Sequence, residues 1–174
     1  MLIPEITVRP ATSEDAEIIA DLSRDTFYET FAPSNKPEDI AQFLNEQFTR
    51  QSLIEEVKVP SNTFFLAYAG NELAGYVKLR DRSNPRELKG LTSLEIARIY
   101  ATGKMIGKGV GKKLMEISIE IARQRKKHAI WLAVWEKNQR AIDFYSSWGF
   151  EVFSKQIFVL GSDLQKDWMM KKML

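Results

Sequence analysis

The 174-residue chain predicts an α/β (α+β) fold, with a mixed, mostly antiparallel sheet of about seven strands and helices on both faces. Three observations carry this. The segments run in the order β-α-α-α-β-β-β-α-β-α-β-β, and Gly70-Asn71 stands as a hairpin turn between two apolar runs. A loop with glycines at 103, 107, 109 and 111 joins an apolar strand to a strong helical period.

Glu5 to Arg9 alternates as a short strand, and Thr12-Ser13-Glu14-Asp15 brings capping chemistry to a helix running to about Phe31. Pro33 and Pro37 bracket a turn. Pro37-Glu38-Asp39 opens a second helix to about Gln47, and a third short helix covers Gln51 to Val57. Thr63 to Ala69 and Glu72 to Asp81 read as hairpin strands, with Gly75 marking a bulge. Residues 82–92, with Pro85 and Gly90, read as a mobile loop. Ser93 to Ala101 is a strand, and after the glycine loop Val110, Leu114, Ile117 and Ile121 fall on one helical stripe. Ala129 to Trp135 is a buried strand. A short helix follows within 136–150, closed by Gly149. Glu151 to Leu160 and Lys166 to Met173 form a closing strand pair. The length suits one domain, 1–174, and no internal repeat is present.

Strand, glycine loop and helix together make a phosphate cradle. Glycines let backbone N–H groups turn toward one point, the first helical turn leaves amide donors unpaired, and Lys104, Lys108, Lys112 and Lys113 add positive charge. The spacing excludes two nucleotide motifs. A P-loop needs a glycine where Ile106 stands and a hydroxyl residue where Lys113 stands, and the strict alternation Gly107-x-Gly109-x-Gly111 is not the dinucleotide fingerprint.

Composition narrows the chemistry. There is no cysteine, so no disulfide, thiol nucleophile or thiolate metal site, and the lone His128 cannot build a histidine cluster. Neither a secretory leader nor a membrane-length apolar run is read, so a cytoplasmic protein with no membrane partner is expected. Net charge is +2 but unevenly spread: residues 1–60 hold 12 acidic against 5 basic side chains, and residues 61–128 hold 6 against 14. The basic middle suits a cofactor with several phosphates, and the acidic front suits a cationic substrate. No stacking aromatics interleave with the basic run Arg123 to Lys127, so no nucleic-acid partner is expected. A homodimer is left open.

Gly107-x-Gly109-x-Gly111 opening a helix, followed by Asn138-x-x-Ala141-x-x-Phe144-Tyr145-x-x-x-Gly149-Phe150, resembles the paired acetyl-CoA motifs of the GNAT N-acetyltransferases over about residues 93 to 152. Ile106 departs from the pattern, since the family usually carries Gln or Arg there. The resemblance implies splayed central strands with the pantetheine arm between them. It also implies cofactor contacts at Ile99, Tyr100, Ala101, Ile106, Gly107, Lys108, Gly109, Val110, Gly111, Lys112, Asn138 and Tyr145. Acetyl-CoA is then the cosubstrate, with no metal. Tyr145 takes the place of the tyrosine beside the thiol, an acid for the leaving thiolate; the alternative is a packed aromatic with its hydroxyl satisfied by backbone. Glu95 lies where many members carry a glutamate base, with an ion pair as the alternative. Its face of the strand depends on whether a bulge intervenes. Asn138 can be a helix cap as well as a cofactor contact.

The stretches Asp25 to Phe31, Ser93 to Ile96 and Val134 to Asn138 are similar to bacterial spermidine/spermine acetyltransferases of the Pai type, which implies a polyamine acceptor. Two alternatives stand beside it: protein or peptide N-acetylation, and a non-catalytic acyl-CoA-binding regulator.

Overall fold

A computed structural model of the chain describes residue 2, residues 4–82 and residues 84–174. Seven strands, β1 (Ile6–Pro10), β2 (Asn62–Ala69), β3 (Glu72–Arg80), β4 (Ser93–Ala101), β5 (Ala129–Trp135), β6 (Glu151–Leu160) and β7 (Asp163–Met173), form one sheet in the order β1-β2-β3-β4-β5-β7-β6. Only β4 and β5 pair in parallel; the other neighbours are antiparallel. Helices α1 (Ala16–Phe31), α2 (Pro37–Glu46) and α3 (Arg50–Glu56) precede β2, and α4 (Val110–Gln124) and α5 (Gln139–Ser147) flank β5.

Pleating assigns the two faces. Val77, Leu79, Leu94 and Ile96 point to one side and meet Val110, Leu114 and Met115 of α4 and Tyr145 of α5 in the main core. Phe64, Leu66 and Tyr76 point to the other side and meet Ile19 and Leu22 of α1. The buried stripe of α4 is Val110, Leu114, Met115, Ser118, Ile119 and Ala122, whereas Ile117 and Ile121 only flank it. Among the described residues no helix is long and apolar enough to cross a membrane.

The turn chemistry performs as the sequence implies. Ala69 pairs with Glu72 across a two-residue turn in which Gly70 takes φ +61°. Register passes from Ala67↔Gly75 to Tyr68↔Leu73, so the bulge lies beside Gly75. A Cβ at Gly75 would sit 2.4 Å from the Tyr100 carbonyl oxygen and 2.8 Å from Val110 Cγ1, so only glycine lets β3, β4 and α4 approach this closely.

Two expectations change. β7 begins at Asp163 rather than Lys166, because Gly161, at φ +59°, turns the chain tightly enough for Leu160 to pair with Asp163. The outward-facing Leu164 hides that start in the sequence. The 82–92 segment, expected to be mobile, is pinned where it is described. Leu88 is fully buried against Trp131 and Met169, and Ser93 Oγ donates to Asn84 Oδ1 at 2.6 Å. Ser83 lies outside the described residues.

Candidate active site

The site exists because β4 and β5 stop pairing. Their ladder covers only Ser93↔Ala129, Leu94↔Ile130 and Glu95↔Trp131. Just beyond, the β3–β4 register passes from Leu79↔Ile96 to Lys78↔Arg98, leaving Ala97 as an extra residue. A bulge bends and twists its strand, and here it turns β4 from β5, which continues with β7 as far as Trp135↔Asp167. It also settles the face of Glu95. Glu95, Arg98 and Tyr100 share a face with Tyr76, Lys78 and Arg80, while Ile99 and Ala101 join Ile96 on the α4 side. Between the splayed strands lies a cleft of about 730 Å³, within the usual range for a small-molecule site.

The loop from β4 into α4 closes one end. Gly107 and Gly109 take φ +78° and +91°, and nothing stands within 4 Å of the point where a Cβ would be at either. The first backbone bond of α4 runs from Lys113 N–H to the Gly109 carbonyl at 3.1 Å, so the amides of Val110, Gly111 and Lys112 have no carbonyl one turn earlier. Gly107, Gly109, Gly111 and Lys112 border the cleft, as do Ile99, Tyr100, Ala101 and Ile106. Val110 and Lys108 differ from these in placement. Val110 is 1% exposed and packed in the core, which leaves only its amide available, and Lys108 is solvent-exposed and does not border the cleft. Asn138 is the N-cap of α5, its Oδ1 accepting from Ala141 N–H at 3.3 Å, and it borders the cleft too. Arg140 adds a cation the motif did not single out.

Three titratable side chains on the cleft differ sharply in their surroundings. Tyr145 of α5 borders the cleft with its ring packed edge-on to Phe144 and against Phe150. Its hydroxyl makes no hydrogen bond among the described residues, and burial pushes its phenol above the ordinary range, so it stays protonated. Glu95 is differently placed. Its two oxygens accept from Arg80 at 2.7 and 3.0 Å and from Arg82 at 2.8 and 3.2 Å, and this double ion pair takes up its acceptor capacity. Asp167 of β7 also borders the cleft, and no cation pairs with it among the described residues. Burial, only partly offset by a hydrogen bond from Gln156, pushes its carboxyl up to about 6. Tyr100, itself pushed up by burial, feels both Tyr145 and Asp167. Sequence reading passed over Asp167; its signal was an acidic residue at an inward position of a strand that otherwise buries Met169 and Met170.

The rest of the cleft lies under α1 and α2. Phe27, Phe31, Phe43, Phe48 and Phe158 form an apolar wall, with Phe27 and Phe43 stacked at 4.7 Å. Lys78, Arg80, Arg82 and Arg98 also border the cleft, with Glu56 and Glu95 among them, and the Arg98 guanidinium lies over the Phe48 ring at 5.0 Å. Of the acidic front, only Glu56 borders this space. Asp15 binds Arg9, Asp21 binds Arg50, and Asp39 Oδ1 accepts from the Ser162 amide and hydroxyl. Glu29 accepts from the Gly103 amide at 2.9 Å. The acidic front read as suiting a cationic substrate thus contributes one carboxylate to the cleft, because the others named here fasten elements together.

The splayed strand pair and the glycine-lined start of α4 thus form one continuous cleft, open from the helix N-terminus into the gap between β4 and β5. Residues 17–150 match the acetyltransferase (GNAT) family, and the chain belongs to that family. It is 40% identical over 158 residues, 91% of each chain, to an uncharacterized N-acetyltransferase in the pepI 3' region of Lactobacillus delbrueckii subsp. lactis. The spermidine N(1)-acetyltransferase of Thermoplasma acidophilum is 26% identical over 151 residues, 84% of this chain and 89% of that one. The crystal structure of PaiA N-acetyltransferase from Thermoplasma acidophilum in complex with coenzyme A shares the fold, with a TM-score of 0.78 at 24% identity over 98% of this chain and 99% of that one. The protein is an N-acetyltransferase, a mixed α/β enzyme with a seven-stranded sheet.

Proposed function

We propose that residues 1–174 act as one catalytic domain that moves the acetyl group of acetyl-CoA directly to a primary amine held in the cleft. The observation that carries this is the splay of β4 from β5 beyond Glu95, which opens a cleft bordered by the glycine cradle, Tyr145 and Asp167. The pyrophosphate is assigned to the amides of residues 107–112 with Lys112, and the pantetheine arm to the free edge of β4 from Ile99 to Ala101. Attack forms a C–N bond and breaks the C–S bond, so one proton passes, in net, from nitrogen to sulfur. Asp167 accepts from the attacking amine, and the Tyr145 hydroxyl donates to the departing thiolate. Glu95 holds Arg80 and Arg82 in place.

Substituting Gly109 with Val should raise the KM for acetyl-CoA by about 10-fold or more, because a β-branched residue is strained at φ +91° and distorts the cradle. Titration with acetyl-CoA checks it, and unchanged affinity would return the loop to a plain helix cap.

For the acceptor, the Pai-type resemblance and the distant spermidine relative support a polyamine. The charge of the cleft does not, since its carboxylates are outnumbered. Assay of free-thiol release over amines that include spermidine, short peptides and amino acids, with acetylated products identified by mass, tests the reading. Acetyl-CoA binding without thiol release from any amine would favour a regulator instead.

A further inference from the structure

We propose that the preferred acceptor is a primary amine carrying a carboxylate on an apolar body, and that Lys78 and Arg98 receive the carboxylate. This rests on the acetyl-transfer reading and deepens it by naming the class of acceptor.

Lys78 and Arg98 are register partners on β3 and β4, and both pair with the same Glu56 oxygen, Lys78 at 3.1 Å. Two cations share one carboxylate where water is largely excluded: the Lys78 side chain is 5% exposed and that of Arg98 13%. Arg98 Nε is buried with no hydrogen-bond partner among the described residues. Uncompensated buried charge is costly, and an anion entering beside the Lys78 ammonium and the Arg98 guanidinium relieves it. The excess is felt within the site, since burial and then the charge of Arg98 push the Lys78 ammonium down to about 8.

No neighbour supplies the missing charge. Arg80 and Arg82 together take Glu95, again two cations to one carboxylate, and Asp167 stands across the opening on β7. A polyamine entering here would meet an excess of its own sign. A carboxylate would meet the spare N–H donors of an ammonium and a guanidinium. The adjoining aromatic wall of Phe27, Phe43 and Phe48, on which Arg98 stacks through Phe48, suits an apolar or aromatic side chain on the same molecule.

Matched acceptors test this directly. With wild-type enzyme and acetyl-CoA, kcat/KM for phenylalanine should exceed that for phenethylamine, which lacks only the carboxylate, by about 10-fold or more, the size of one charge-assisted hydrogen bond. Lys78→Met should bring that ratio toward one while the KM for acetyl-CoA stays near its wild-type value. Phenethylamine or spermidine acetylated as well as phenylalanine would overturn the proposal and leave acetyl transfer standing. Acetyl-CoA bound without thiol release from any of the three would overturn both. If Lys78→Met fails to fold, the wild-type ratio by itself still separates these outcomes.

Discussion

Replacing Asp167 by Asn is expected to lower kcat by about 10²-fold or more, the usual contribution of a positioned general base. The same change should remove an ionisation near 6 from the acid limb of the pH–rate profile. The sign follows from the raised carboxyl, about 6 in the fold. As a base Asp167 works only when deprotonated, so wild-type kcat should climb as pH rises through about 6, and Asn, which cannot titrate, should show no such step. Stability should move the other way. A carboxyl raised by burial favours the folded state while it is protonated, and that contribution is lost as pH rises from the ordinary carboxylate range through about 6. At neutral pH the buried charge is therefore a burden, and Asp167→Asn should melt no lower than wild type. Low turnover with undiminished stability is the pattern of a functional group held at a cost to the fold. Full activity with an unaltered pH profile would remove Asp167 from the mechanism.

The fold was largely legible because its signals are local. The apolar runs of β2 and β3, the turn at Gly70, the proline opening α2 and the glycines before α4 each act within a few residues, and each leads to the element it implies. The glycine-lined end of the cleft, to which the cofactor is assigned, was legible for the same reason: a strand, a glycine loop and a helix start are contiguous in the chain. The acceptor half was not. Lys78, Arg98, Asp167 and the phenylalanines come from β3, β4, β7, α1, α2, the turn after α2, and β6, and only the folded sheet brings them to one cleft. The bulge at Ala97 illustrates the limit. Nothing in Leu94-Glu95-Ile96-Ala97-Arg98 marks an inserted residue, yet it decides which side Arg98 faces. The acidic front misled for a related reason. Regional charge says nothing of pairing, and Asp15, Asp21 and Asp39 are committed to Arg9, Arg50 and Ser162.

Tyr145→Phe isolates one hydroxyl. The ring should stay where it is, since its contacts with Phe144 and Phe150 involve carbon surfaces that phenylalanine keeps. The hydroxyl has no hydrogen-bond partner among the described residues, so its removal strands no donor or acceptor and should leave the melting temperature unchanged. What is lost is a donor aimed into the cleft. Burial keeps the phenol protonated across the working pH range, so the wild-type enzyme keeps an O–H for the donation proposed for it. As the C–S bond breaks, negative charge gathers on sulfur in a poorly solvated gap, where a charge-assisted hydrogen bond counts for more than in water. Removing it should cut kcat by about 10²-fold, with the KM for acetyl-CoA little changed because the thioester sulfur of the ground state carries no such charge. The loss should also shrink for a donor whose leaving thiol is more acidic, because a thiolate that is stable unaided needs less help from the phenol. Equal kcat in the two proteins, or an equal loss with every leaving group, would return Tyr145 to the aromatic core.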